Sequence, residues 1–114
     1  MEPPVLTRWR HQVTPSDDRL AEALEHAGLV PRWWEAAPGE AFPAHAHGYD
    51  KVLFCGAGGI TFVLQPTGER LNLAPGDRLD LPAGWDHSAR AGPNGARCVE
   101  GWVGSEIAAV ARGC

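Results

Sequence analysis

The spacing of hydrophobic residues predicts one amphipathic helix near the start of the chain. The apolar positions recur every three or four residues and therefore share one helical face: Leu20, Ala23, Leu24 and Ala27. The preceding segment, Thr14-Pro15-Ser16-Asp17, has the pattern of a helix start, with a threonine N-cap, proline at the first helical position and a carboxylate at the third. Gly28 is suited to end the helix in a left-handed conformation. Because only one face is apolar, we expect this helix to pack against a larger body, after an irregular or extended lead-in.

Beyond Val30 the hydrophobic period falls to two residues, which predicts short β-strands. Glycine and proline clusters interrupt the pattern where hairpins would turn, for example at Gly56-Ala57-Gly58-Gly59 and Gly92-Pro93-Asn94-Gly95. The predicted strands cover residues 31–37, 42–47, 50–55, 59–65, 69–73, 77–81, 87–91 and 97–103. Strands with such short connections favour a β-sandwich or barrel. Ser105 could cap a last helical turn that reaches Val110.

Two adjacent tryptophans require that both faces of one strand be covered. Trp33 and Trp34 are neighbours, so on a strand they point to opposite faces of the sheet. Each indole carries a large apolar surface that is stabilised by burial. The interior of the barrel can cover one of them. The amphipathic helix or a second subunit can cover the other.

Length and charge narrow the classes of function. A chain of 114 residues has the size of one domain, with residues 1–29 as lead-in and helix and residues 30–114 as the β-rich part. With a net charge of -4, the chain lacks the excess of positive charge that proteins use to bind nucleic acid or an anionic membrane. An uncharged or cationic small ligand is at least as compatible with this charge as an anion. The N-terminus lacks the features of a signal peptide, so we expect a cytoplasmic protein. Cys55 and Cys98 are then expected to be reduced, buried thiols.

Three histidines are the main chemical signal. His45 and His47 are two residues apart and Lys51 has the same parity, so on an extended segment the three side chains share one face. His87 follows the turn-like segment Pro82-Ala83-Gly84. Three imidazoles from two separate strands favour a first-row transition metal, whereas a histidine pair alone near a strand end is compatible with ordinary hydrogen-bonded residues.

The same segments give the sequence a resemblance to the cupins. Gly39, His45-x-His47 and Gly58 resemble the first cupin motif, and Gly76, Pro82-x-Gly84 and His87 resemble the second, so that the two motifs span residues 39–91. The resemblance implies an all-β fold, a conical antiparallel barrel of the jelly-roll or double-stranded β-helix type, with the N-terminal helix packed outside. It also implies a homodimer and a divalent metal (Fe, Mn, Zn, Ni or Cu) on His45, His47 and His87. The expected function is that of a metal-dependent dioxygenase, isomerase or lyase, or of a non-catalytic protein that binds or senses a small molecule, with or without metal.

Two positions depart from the cupin pattern. Ala91 replaces the asparagine that often ends the second motif, and Lys51 replaces the usual metal-binding glutamate. A lysine ammonium within ~4 Å of a divalent ion is repelled by about 8 kcal/mol at an effective dielectric of 20. Three alternatives follow: the ammonium swings away toward Asp50, Glu100 or solvent; the site holds no metal; or Lys51 is neutral and acts as a catalytic residue. Glu35 and Glu100 are candidate carboxylates behind the ligands, although on a strand either could simply face solvent.

Overall fold

A computed structural model describes residues 2–103 of the chain. Within them lie one helix and seven strands: β1 (Val5–Thr7), α1 (Asp17–His26), β2 (Arg32–Ala36), β3 (Ala41–His45), β4 (Asp50–Leu64), β5 (Arg70–Leu73), β6 (Arg78–Leu81) and β7 (His87–Val103). All strand pairs are antiparallel, along the path β1-β6-β4-β7-β2, with β3 attached to β7 and β5 to β4. The predicted antiparallel all-β fold is confirmed. The strands form a β-sandwich whose path ends at β1 and β2, and these two strands do not pair with each other in the described part of the chain.

Two long strands, β4 and β7, form the centre of this sheet. Each joins two segments that the sequence pattern predicts as separate strands, because bulges rather than hairpins occur at the glycine clusters. Pairing between β4 and β7 shifts between Cys55 and Ala57, and again between Gly58 and Ile60. Gly58 has a φ of +71°, and a Cβ atom there would collide with the carbonyl oxygen of Gly95. The bulges allow the first half of β4 to pair with β6 and the second half with β5.

Side chains alternate between the inner and the outer face along each strand, and the inward-facing ones form one main core between the two layers of the sandwich. Its buried members come from five strands and include Trp34, Leu53, Cys55, Ile60, Phe62, Leu64, Leu71, Leu73, Leu79, Leu81 and Cys98. Trp34 is 7% exposed, so the interior of the sandwich covers one of the two adjacent indoles.

Helix α1 covers the outer face of the sheet. Leu20 and Leu24 are buried there against Phe54 and Val99, and Trp33 packs against the same cluster. The helix is therefore the cover of Trp33, which is one of the two alternatives that the sequence left open. A homodimer stays a prediction.

The ends of α1 show which local signals determined its length. Ser16 is the N-cap instead of Thr14, because its hydroxyl accepts a hydrogen bond of 3.1 Å from the backbone N–H of Arg19. The C-terminal end agrees with the prediction, since Gly28 has a φ of +82° and the N–H of Leu29 donates to a carbonyl of the last turn.

The lead-in is more ordered than the sequence suggested, because β1 pairs with β6 at the edge of the sheet. Asp77 is 3% exposed and holds the residues after β1. Its carboxylate accepts hydrogen bonds from the guanidinium of Arg8 and the N–H of Trp9, each of 2.8 Å, and from the N–H of Ala74 at 2.9 Å. Burial opposes ionisation, but these donors outweigh it and lower the pKa of Asp77.

No helix among residues 2–103 has the length and apolar character needed to cross a lipid bilayer. The helical turn expected between Ser105 and Val110 lies outside the described residues.

Candidate metal centre

Strands β3 and β7 place two of the predicted histidines opposite each other. His45, the last residue of β3, pairs in register with His87, the first residue of β7. His47 lies two residues beyond β3, in the segment that leads to β4. The ring centroid of His45 is 4.7 Å from that of His47 and 4.5 Å from that of His87, and the last two are 5.2 Å apart. The structure thus brings the three imidazoles into one cluster.

The turn between β6 and β7 holds the backbone of His47 in place. The N–H of Gly84 donates to the carbonyl of His47 at 2.9 Å, and the carboxylate of Asp50 accepts from the N–H of Ala83 at 2.8 Å. Gly84 has a φ of +85°, a conformation that favours glycine. The Pro-x-Gly segment therefore ties the chain around His47 to the start of β7, where His87 lies.

Hydrogen bonds to the backbone orient two of the rings. Nδ1 of His45 donates to the carbonyl of Pro43 at 2.6 Å, and Nδ1 of His87 donates to the carbonyl of Trp85 at 2.9 Å. A neutral imidazole with its proton on Nδ1 presents the lone pair of Nε2. His45 and His87 are therefore arranged as Nε2 ligands.

The cluster fits a transition-metal ion by distance and by chemistry. One nitrogen of each ring lies within 4.8 Å of the others, so a common point lies within about 2.8 Å of all three (4.8 Å divided by √3). Imidazole nitrogens bind such metals at about 2.0–2.1 Å, so rearrangements of less than about 1 Å would close the site. Three neutral imidazoles suit several first-row ions and leave further coordination positions open. The three histidines could therefore hold a metal ion.

Lys51 lies against this cluster and is buried, with 1% of the residue exposed. Its Nζ is 3.3 Å from Nε2 of His47 and 3.5 Å from Oε1 of Glu100. An ammonium can only donate, so Nε2 of His47 is the acceptor. Lys51 thus points toward Glu100, as in the first of the three alternatives, but it also contacts a nitrogen that a metal would use.

Glu100 is the centre of a buried polar network behind Lys51. It is 1% exposed, and its Oε1 and Oε2 accept hydrogen bonds from Nε1 of Trp34 at 2.8 Å and Nε1 of Trp102 at 2.5 Å. Burial raises the pKa of Glu100, and the Lys51 ammonium and the two indoles oppose this effect. Glu35, the other candidate carboxylate, is exposed.

Sequence reasoning missed the polar role of these two indoles. Trp34 was assigned only to a covered strand face, and Trp102 was given no role. The available signal was Glu100 itself, the one charged residue in the run Cys98–Val103. An acidic residue at a core position requires donors, and an indole N–H is a donor that remains compatible with an apolar environment.

Tyr49 adds a buried hydroxyl to the neighbourhood of His47. The residue is 4% exposed, and its ring stacks on that of His47 with centroids 4.9 Å apart. The hydroxyl has no hydrogen-bond partner among the described residues. Burial, and then the charge of Glu100, raise the pKa of Tyr49 to about 12. At neutral pH it is therefore a protonated donor in the vicinity of the histidine cluster.

Several solved structures have a similar strand arrangement, and cupins are among them. An RmlC-like cupin from Shewanella frigidimarina matches with a TM-score of 0.61 and 22% identity, over 72% of this chain and 71% of that one. KdgF from Halomonas sp. matches with a TM-score of 0.57 and 22% identity, over 68% and 71% of the two chains. The DMSP lyase DddQ from Ruegeria pomeroyi matches with a TM-score of 0.62 and 24% identity, over 68% of this chain but only 39% of the lyase.

No protein-family model and no curated protein matches the sequence. At these identities the structural matches establish the fold and not the activity. The protein has the cupin fold, and the three histidines at its two cupin-like motifs lie close enough together to hold a metal ion.

Proposed function

We propose that this protein binds a divalent transition metal (Fe, Mn, Zn, Ni or Cu) through His45, His47 and His87 and a small molecule beside it, within reach of Lys51. The convergence of three imidazoles, two of them oriented by backbone carbonyls, carries the proposal. When bound, the metal would supply Lewis acidity toward an oxygen atom of the small molecule.

Local charges favour an anionic ligand, such as a small carboxylate. A divalent ion and the Lys51 ammonium together carry three positive charges, against the single negative charge of Glu100. Charge that is not balanced in a buried site is costly, and a carboxylate on the ligand would balance part of it. The hydroxyl of Tyr49 offers a further donor. The overall charge of -4 leaves cationic and neutral ligands open, but the groups nearest the site favour an anion.

Within this proposal Lys51 is the catalytic residue, and it transfers a proton at Nζ. Glu100 and the two indoles hold the lysine side chain beside His47. In its neutral form Lys51 could take a proton from a carbon next to a carboxylate or carbonyl that the metal polarises, which is the first step of lyase and isomerase chemistry, and the Nζ ammonium formed in this way would give the proton back to the product or to solvent. One of the structural neighbours is named as a lyase, which is compatible with this class of reaction.

The second candidate function is non-catalytic binding of a small anion. It is favoured by the contact between Nζ of Lys51 and Nε2 of His47, because in this arrangement the ammonium competes with a metal for the imidazole. An ammonium beside an imidazole can itself hold an anion through charge-assisted hydrogen bonds.

Metal titration tests the first part of the proposal. The purified protein would be titrated with Zn²⁺ and Co²⁺, the latter followed by its visible absorption. His47→Ala and His87→Ala should each weaken binding by about 100-fold or more, because a ligand is lost. His26→Ala is the matched control, since His26 is exposed at the end of α1. Unchanged affinity in both site variants would refute the metal centre.

Proton transfer is testable without knowledge of the substrate. The metal-loaded protein would be incubated in D2O with a panel of small carboxylic acids that carry acidic C–H bonds, and exchange of hydrogen for deuterium would be followed by NMR. Lys51→Met should abolish exchange and preserve metal binding. Carboxylate binding without exchange in the wild-type protein would favour the non-catalytic candidate. Redox-active iron with oxygen consumption would point instead to a dioxygenase.

A further inference from the structure

Two cysteines face each other across the central strands, away from the histidine cluster. Cys55 of β4 and Cys98 of β7 are direct partners in the register, and both belong to the main core between the layers. Each is 0% exposed, and both are thiols in this structure. The thiol of Cys98 lowers the pKa of Cys55 through a hydrogen bond, against the effect of burial.

Backbone hydrogen bonds place the two cysteines at the closer type of antiparallel position. The N–H of Cys55 donates to the carbonyl of Asp77 at 3.0 Å, and the carbonyl of Cys55 accepts from the N–H of Gly76 at 2.7 Å. Both backbone groups of Cys55 therefore point away from β7, and the residue is not hydrogen-bonded to Cys98 in the ladder.

This type of pair has the spacing that a disulfide needs. In non-hydrogen-bonded antiparallel pairs the Cα atoms are about 4.5 Å apart and the side chains are closer than in hydrogen-bonded pairs. Disulfides span Cα separations of about 4.4–6.8 Å. Both side chains point into the same core. A bond between the sulfur atoms therefore requires rotation of two short side chains, and the pairing of β4 with β7 does not have to change.

We infer that Cys55 and Cys98 form a site of reversible disulfide formation inside the core of the sandwich. Hydrogen peroxide is a sufficient oxidant: the two sulfur atoms form one bond, two thiol protons and two electrons leave, and the peroxide is reduced to two water molecules. Two glutathione thiols reverse the step by exchange and become glutathione disulfide. The bond would join β4 to β7 at the bulge, where the pairing of the two long strands shifts.

The buried position determines how the site is oxidised. Neither sulfur atom is accessible in the folded state, so an oxidant reaches them when β4 and β7 separate locally. Oxidation should therefore be slow in the folded protein and fast during refolding. Once formed, the bond should resist reduction under native conditions for the same reason.

The experiment uses the 114-residue chain with the substitution Cys114→Ser, so that Cys55 and Cys98 are the cysteines that remain in it. The reduced, unfolded protein would be refolded in glutathione buffers with an increasing oxidised share. Mass spectrometry should show a loss of two hydrogen atoms and a link between the peptides that contain Cys55 and Cys98. The oxidised form should melt at a higher temperature than the reduced form, and dithiothreitol should restore both thiols after unfolding.

Cys98→Ser in the same background is the matched control, which should show no change in mass other than single glutathione adducts. The inference is overturned if protein that has been refolded at a fully oxidising glutathione ratio retains both thiols, or if the two cysteines form only separate glutathione adducts. It is equally overturned if the disulfide forms but lowers the melting temperature, because the geometry would then be strained.

Discussion

Replacement of Lys51 by methionine should tighten metal binding by a predictable amount. Methionine has nearly the same length and fits an apolar environment, so the substitution removes the charge with little change in packing. The residue is 1% exposed, and its Nζ lies 3.3 Å from a nitrogen of the proposed metal centre. The wild-type protein must therefore move or tolerate this ammonium when a cation binds.

The size of the effect follows from the Coulomb repulsion between the ammonium and the bound ion. With Nζ 3.3 Å from Nε2 of His47, we take an ion about 5 Å from the ammonium at an effective dielectric of 20, which gives a repulsion of about 7 kcal/mol. Glu100 attracts the ion in the wild-type protein and in the variant, so its attraction does not enter the difference. Movement of the flexible side chain away from the ion reduces the repulsion to about 2–3 kcal/mol, or roughly 30- to 150-fold in affinity. Lys51→Glu should give a larger gain, because it also adds an oxygen ligand.

The assay is a Zn²⁺ titration in competition with a chromogenic chelator, at equal ionic strength for all variants. Arg70→Met is the matched control, since it removes a positive charge from an exposed position on β5 and should leave the affinity unchanged. Circular dichroism would show that each variant is folded. Equal affinities of the wild-type protein and Lys51→Met would refute the electrostatic reasoning, and binding in neither would refute the metal centre.

Three further predictions concern stability and ionisation. Asp77→Asn should lower the free energy of unfolding by about 1–3 kcal/mol at neutral pH, because charge-assisted hydrogen bonds are lost. Since the pKa of Asp77 is lowered in the folded protein, the extra stability of the wild type is present above the ordinary value of 3.8 and disappears as the pH falls through the folded-state pKa. Urea unfolding curves of the two proteins that stay apart in acid would contradict this prediction. Tyr49 is the one tyrosine of the chain, so the absorbance of tyrosinate should show a titration midpoint near 12 in the folded protein and near 10.0 in denaturant. The folded protein should therefore lose stability as the pH rises between these two values. A midpoint near 10.0 in the folded protein would show that the hydroxyl is exposed. Gly58→Ala should lower the free energy of unfolding by about 2–4 kcal/mol in thermal unfolding, because it combines a left-handed φ with a collision against Gly95. Gly68→Ala, at a position with a φ of +75° and open space around it, should lower it by only about 1–2 kcal/mol. Equal losses of stability in the two variants would show that the collision is relieved.

The periodicity of hydrophobic residues correctly predicted those strands that end at a tight turn. The predicted strands at residues 69–73 and 77–81 correspond to β5 and β6, because Pro75-Gly76 separates them by a tight turn. The pattern failed where glycines form bulges instead of hairpins, within β4 and β7. A local sequence shows that the backbone must bend at Gly58, but only the pairing with β7 decides whether the chain then reverses direction.

The helix start was misplaced for a similar reason. Thr14 and Ser16 are both good N-cap residues, so the local signal allowed two registers. Pro15 is buried, and Ser16 has the extended backbone of a cap. Burial of Leu20 and Leu24 against the sheet selects the register, and that contact is not present in the local sequence.

The candidate site shows the same division between local and long-range information. The two motifs were sufficient to select the three histidines, because spacing and parity are properties of the sequence. The environment of Lys51 depends on a register that the sequence does not reveal. Lys51 pairs with Trp102 and Leu53 pairs with Glu100, so the lysine and the glutamate are diagonal neighbours on one face of two strands.

This diagonal pair explains how a lysine can occupy a position where cupins usually carry a metal-binding glutamate. A lone ammonium at 1% exposure would cost several kcal/mol, and Glu100 offsets that cost from the neighbouring strand. The two indoles and the ammonium in turn satisfy the oxygens of Glu100. The site therefore still contains a carboxylate, but the lysine lies between it and His47. A metal that enters would have to displace the ammonium from His47, so Lys51 and Glu100 together would set the affinity of the three histidines for the ion.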